Sequence, residues 1–132
     1  MLTGPSPERP RVLVTRPAGQ AERLCSLIEA AGGEAVRLPA IEIREPADPG
    51  PLTTLVAALD SYDLAVFISV NAVNRGLEFI LDRRAWPART RIATVGVRSA
   101  EALVPFGLSV DLVPEHSFNS EALLALDELQ DM

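Results

Sequence analysis

The stretch "VFISVNAVNRG", Val66 to Gly76, decides how the chain is read. Ala65, Val66, Phe67 and Ile68 form a short apolar run, as in a strand buried on both faces. At Ser69 the character changes to a hydroxyl, an amide and a small residue. Val73, Leu77 and Ile80 then recur at helical spacing. A core strand that ends in Ser and Asn and passes straight into a helix is one strand–helix unit of an α/β fold.

The same unit repeats in both directions. "RVLVTRP" (11–17) is a first strand, and "AGQAERLCSLIEAAGG" (18–33) is a helix with Ala21, Leu24, Leu27, Ile28 and Ala31 on its apolar face and Gly32-Gly33 as its stop. "EAVRLPAIEIREP" (34–46) is a second extended segment, and "ADPGP" is a turn-rich break before the short helix "LTTLVAAL". After the strand 62–69 and the helix 71–84, "ARTRIATVG" leads into a fourth strand. "VRSAEALVPFG" is a helix ended by Gly107, "LSVDLVPE" a fifth strand, and "NSEALLALDELQ" a closing helix capped by Asn119 or Ser120. Strands alternating with helices predict right-handed crossovers and a mostly parallel, doubly wound, flavodoxin-like sheet.

Composition narrows the chemistry. A net charge of −6 argues against a general nucleic-acid binder. No apolar run reaches the length needed to cross a bilayer, and residues 1–10 read as a flexible leader without a signal-peptide core. All 12 basic residues are Arg, which excludes a Schiff-base or P-loop lysine. The single cysteine, Cys25, excludes an internal disulfide and a multi-cysteine metal site, and its place beside the apolar face of the first helix points to packing. No G-x-G-x-x-G follows a strand and no G-x-S-x-G elbow is present. A phospho-accepting receiver would need a carboxylate where Ser69 stands, and a lysine. His116, the one histidine, reads as a solvated or capping loop residue; Trp86 reads as a loop anchor, and Asp82-Arg83-Arg84 as a solvated helix end.

Doubly wound sheets bind ligands at the carboxyl ends of their strands. That rim carries Arg16 after the first strand, Ser69 and Asn71 after the third, Gly96, Arg98 and Ser99 after the fourth, and Ser117, Asn119 and Ser120 after the fifth. Hydroxyls, amides, glycine and arginine beside helix starts suit a carboxylate or phosphate. Each Ser or Asn taken singly is equally a helix cap, Asn71 included; four such loops together favour a ligand.

"VLVTRP", "LPAIEI", "VFISVNAV", "IATVGVRSAEAL" and "SEALLAL", in this order from Arg11 to Leu126, resemble the first half of the uroporphyrinogen-III synthase family. The resemblance implies one half of a two-lobed, segment-swapped enzyme, either a truncated piece or a natural split form. In it the strand–helix–strand unit 11–38 packs in one lobe, 39–46 is a hinge, and 47–132 builds the other lobe. It implies a cytoplasmic, cofactor-free and metal-free lyase of haem biosynthesis. That lyase cyclises the linear tetrapyrrole hydroxymethylbilane with loss of water and inversion of the last ring.

Arg16 matches the family's T-R-P, Ser69, Asn71 and Ala72 its S-x-N-A turn, Gly96 its V-G turn, and Ser120 its S-E pair. These are the implied substrate-binding residues, with Ser99 as the implied catalytic hydroxyl. A tyrosine of the family's second half has no counterpart here, and Tyr62 does not replace it, so the isolated chain is expected to be inactive. The implied partners are the tetrapyrrole, the missing C-terminal half in cis or trans, and a swapped homodimer; nucleic acid and membrane are not among them. The alternatives are a non-catalytic flavodoxin-like module for a small anion, and a chain that completes another chain's fold.

Overall fold

The computed structural model describes residues 9–130, so most of the expected leader over 1–10 lies outside the described residues. The chain divides into two compact units, Met1–Ala47 and Asp48–Met132. Both are α/β and each contains a pair of parallel strands.

In the first unit, β1 (Arg11–Val14) and β2 (Glu34–Arg37) run parallel, in register from Arg11↔Glu34 to Val14↔Arg37. The crossover is α1 (Ala18–Ala30). Its stop is the expected glycine pair: Gly32 takes φ +87°, its N–H bonds the Glu29 carbonyl, and the Gly33 N–H bonds that of Ile28. This six-to-one and five-to-two pattern satisfies the last helical carbonyls. The core holds Val14, Ala21 and Cys25, with Ile28 and Ala35 packed on it, so Cys25 is a packing residue. The helix face is displaced from the expectation. Leu24 is 37% and Leu27 59% exposed, because a sheet of only two strands covers a strip narrower than the apolar stripe of the helix. The segment 38–47 carries no strand.

In the second unit, β3 (Leu64–Phe67) and β4 (Arg91–Thr94) are parallel, in register from Leu64↔Arg91 to Phe67↔Thr94. They are joined through α3 (Val70–Leu81), which buries Val73, Leu77 and Ile80 as its periodicity predicts. Phe67, Val73, Leu77, Ile92 and Leu103 form the core. Gly76 permits the fit of the Phe67 ring, since a Cβ there would lie 3.2 Å from Cε1 of the ring. Trp86 is an anchor, donating its indole N–H to the Thr90 carbonyl at 2.8 Å with its ring 6.0 Å from that of Phe67. α4 (Val97–Glu101) gives way to a 3-10 turn over Val104–Phe106, and Gly107 at φ +72° ends it.

Three expectations are corrected here. The fifth strand is reduced to one parallel bridge, Ala93↔Leu112. The Asp111 carboxylate accepts the Ile92 N–H at 2.7 Å, and a side chain thus occupies a donor that a further strand's backbone would use. The closing helix is two, α5 (Ser120–Leu124) and α6 (Asp127–Gln130). The tighter Leu126-to-Leu123 backbone bond bends the chain, and Leu126 and Leu129 pack against Ala93, Leu112 and Leu123. Arg84 is not a solvated helix end. Its Nη1 donates to the carbonyls of Val56 and Ala57 and to the Asp60 carboxylate, closing the C-terminus of α2 (Gly50–Ala57). This holds the Asp60 carboxyl below its ordinary value, the hydrogen bond from Arg84 being the main cause.

Candidate functional site

The parallel register of β3 and β4 sets the second unit's candidate site. Phe67 and Thr94 are partners at the carboxyl ends of the two strands, so the turns after them, Ile68-Ser69 and Val95-Gly96, leave the sheet side by side. The segment after Leu112 leaves on the other flank of β4, through the bridge to Ala93, and reaches Asn119 and Ser120. Three of the four loops singled out in the sequence therefore issue from one edge of one small sheet. Arg16 follows β1 in the first unit, where it is exposed.

In the first of these loops, Ser69 is extended at φ −158°, and its Oγ accepts the Ala72 N–H at 3.1 Å. Ser69 and not Asn71 is therefore the cap of α3, and the N–H of Ala72 is engaged by it. A β-region residue one position before the first helical turn places a hydroxyl over the free amides, whereas Asn71 already lies inside the helix. Asn71 is partly buried, and Ala72 packs against the core. Ser120, exposed, opens α5, and the cap is Asn119, whose Oδ1 accepts the Ala122 N–H at 2.8 Å.

The second loop is organised around one oxygen. The Gly96 carbonyl accepts the N–H groups of Ser99 at 3.1 Å and Ala100 at 3.2 Å, and also the Thr94 hydroxyl at 3.2 Å. Gly96 itself is extended at φ −135°, a conformation open to any residue. A Cβ on it would meet no atom within 4 Å, so its glycine leaves backbone uncovered rather than relieving strain. Ser99, expected on the rim, is 5% exposed, tucked in the first turn of α4. Arg98 beside it projects outward, with Glu101 at 3.5 Å as a loose partner. Around these polar groups lie apolar side chains without cover: Ile68 at 73%, Val97 at 47% and Val70 at 40% exposure. Thr94 was not singled out in the sequence; the only signal for it was a hydroxyl ending a strand two residues before a glycine.

The remaining titratable groups are arranged differently. An open cleft beside α5 is lined by Asp111, Glu115 and Glu128 together with His116 and Ser117. His116 is solvent-exposed there, 3.8 Å from Glu115. Among the described residues, no three His, Cys, Asp or Glu side chains are placed to hold a metal ion. No helix among them is long and apolar enough to cross a membrane.

Residues 22–132 match the family model described as "Uroporphyrinogen-III synthase HemD". The chain is 30% identical to the uroporphyrinogen-III synthase of Synechococcus elongatus over 115 residues, covering 86% of this chain and 43% of that protein. It is 32% identical to the uroporphyrinogen-III synthase of Escherichia coli over 122 residues, covering 92% of this chain and 50% of that protein. It thus spans about half the length of the curated relatives it matches. The chain belongs to the uroporphyrinogen-III synthase family.

Proposed function

We propose that this chain supplies one half of an enzyme that closes hydroxymethylbilane into uroporphyrinogen III, a cofactor-free lyase of cytoplasmic haem biosynthesis. The family match over residues 22–132 carries this reading. The rim supports it: a polycarboxylate built on apolar pyrrole rings needs polar donors and apolar bearing surface together. Ser69, Gly96 and Ser99 lie among the exposed Ile68, Val70 and Val97.

The reaction loses one water. The substrate's hydroxyl leaves with a proton, giving an electron-poor azafulvene. Closure at a substituted carbon of the last ring gives a spiro intermediate, which fragments and recloses with that ring inverted. The protein's main contribution is to hold a flexible chain in the folding that leads to the spiro route. Ser99 is assigned as the hydrogen-bond donor to the departing hydroxyl, with Arg16, Ser69, Asn71, Ala72, Gly96 and Ser120 as the substrate-binding set.

The architecture we propose is a flavodoxin-like, doubly wound lobe built on residues 47–132. The opening unit 11–38 is completed by the second half of the protein, with 39–46 as the link. Two separate two-stranded sheets support this, as does the exposure of Leu13 at 56% and Leu38 at 57%. Parallel sheets ordinarily have both faces covered.

The test is to assay the chain alone, and then mixed with a polypeptide corresponding to the second half of its relatives. Products are separated by chromatography, since uncatalysed closure gives the type I isomer. The expected result is type III product only from the mixture. Type III product at a high rate from the chain alone, or none from a mixture shown to associate, overturns the reading.

A further inference from the structure

We infer that Thr94 is a positioning residue whose buried hydroxyl fixes the loop that presents Ser99. Thr94 is fully buried at the end of β4, and its N–H is held by the Leu112 carbonyl at 3.0 Å. The residue is therefore anchored by its own backbone, and its side chain is free to act on the turn that leaves the strand. That side chain donates to the Gly96 carbonyl at 3.2 Å. The same oxygen accepts from the amides of Ser99 and Ala100. One carbonyl thus ties three donors, one from the strand and two from the first turn of α4. Fixing the Gly96 peptide fixes the direction in which the Ser99 backbone starts.

Without the hydroxyl only the two amides of the first turn of α4 hold this peptide, and nothing ties it to the strand. Gly96 has no side chain, and the space where one would stand is empty to 4 Å. A glycine peptide has the widest choice of conformations, so an unbraced turn here would sample many. A valine at position 94 would serve the core equally well by shape, and strand preference favours it. The residue present there instead carries a buried hydroxyl, which must be hydrogen-bonded to avoid a desolvation penalty. In the folded unit the Gly96 carbonyl is the acceptor that meets this requirement.

The proposal rests on the reading of the 95–99 loop as ligand-facing, and the test separates the two. Thr94→Val and Thr94→Ser are made in the 132-residue chain. Amide hydrogen exchange at Ser99 and Ala100 reports the brace, with Leu77 in α3 as an internal control. Binding of uroporphyrin III, a stable octacarboxylate macrocycle, reports the ligand face. Thr94→Val is expected to speed exchange at Ser99 and Ala100 about tenfold, leaving Leu77 unchanged, as for loss of one buried bond that limits local opening. Uroporphyrin affinity is expected to fall about fivefold in parallel, and Thr94→Ser to restore both. Thr94→Ala, which also lacks the hydroxyl, is the second variant should valine fail to pack, with the same expectation.

Wild-type exchange rates in Thr94→Val or Thr94→Ala overturn the brace. Acceleration in Thr94→Ala with wild-type exchange in Thr94→Val would place the effect on the methyl group, which valine keeps. A working brace with unchanged uroporphyrin binding overturns the positioning role. If the wild-type chain binds no uroporphyrin, the ligand-facing reading fails instead, and with it the positioning role, while the exchange data still decide the brace.

Discussion

At the scale of single residues, Gly96 and Ser99 separate stability from function. Gly96→Ala introduces a Cβ into open space at φ −135°. It should leave the stability unchanged, or raise it through reduced freedom of the unfolded chain, by about 0.4–1 kcal/mol. Uroporphyrin affinity should nonetheless fall, because the methyl group covers backbone that the ligand needs. A calorimetric scan and a binding titration on the same sample check both halves, and unchanged binding would remove Gly96 from the ligand face. Ser99→Ala, in the two-part enzyme, should lower turnover by the loss of one charge-assisted hydrogen bond, about 1.5–3 kcal/mol in the barrier. Normal kinetics in a folded variant would leave Ser99 a packing residue of α4. Its 5% exposure favours that packing role in the chain alone.

At the scale of elements, the second unit is tied together by side chains that reach backbone far away in sequence. Arg84 closes α2 from the far end of α3, and the buried Thr90 hydroxyl bonds the carbonyls of Leu59 and Tyr62. Arg84→Ala should lower stability by about 1–2 kcal/mol through the carbonyls left without a partner, measured by urea unfolding. Asp60 adds a pH dependence of defined sign. Its carboxyl is held below the ordinary value of 3.8 in the folded chain, so the unfolded chain binds a proton first as pH falls. The stabilisation is therefore complete above the unfolded value and is lost as pH drops through the folded one. Asp60→Asn should flatten the acid limb of the stability curve and leave its shape near neutrality unchanged. An acid limb identical to wild type would show that the pair is screened by solvent.

At the scale of the whole molecule, the charge is unevenly divided. Residues 1–47 hold six Arg and six Glu, whereas residues 48–132 hold six Arg and twelve Asp or Glu. The acidic excess lies entirely in the part that bears the β3–β4 rim, so the polycarboxylate binding proposed above would rest on local donors against that charge. The first unit presents a two-stranded parallel sheet with Leu13 more than half exposed, and Leu27 on its helix equally so. We expect the chain alone to associate at high concentration by exchange of this unit. Light scattering over a dilution series checks it, and a compact monomer throughout, with α1 protected from exchange, would show that the faces are covered within one chain.

Much of the fold was legible in the sequence. The 3.6-residue period of Val73, Leu77 and Ile80, the Gly32-Gly33 stop and the Gly107 stop are local signals, set by backbone geometry and side-chain spacing within a few residues. So was the strand–helix–strand order behind the two parallel pairs, β1 with β2 and β3 with β4. Tertiary structure decided the rest. Whether residues 108–115 form a strand depended on Asp111 meeting the Ile92 N–H, a contact 19 residues apart. Which face of α1 is buried depended on the width of the sheet beneath it. Whether Arg84 is solvated depended on where α2 ends, and whether Thr94 is a core residue or a brace depended on the path of the chain two residues later. Periodicity reports which residues avoid water; it carries no information on which distant donor and acceptor meet, because that is fixed only when the elements pack.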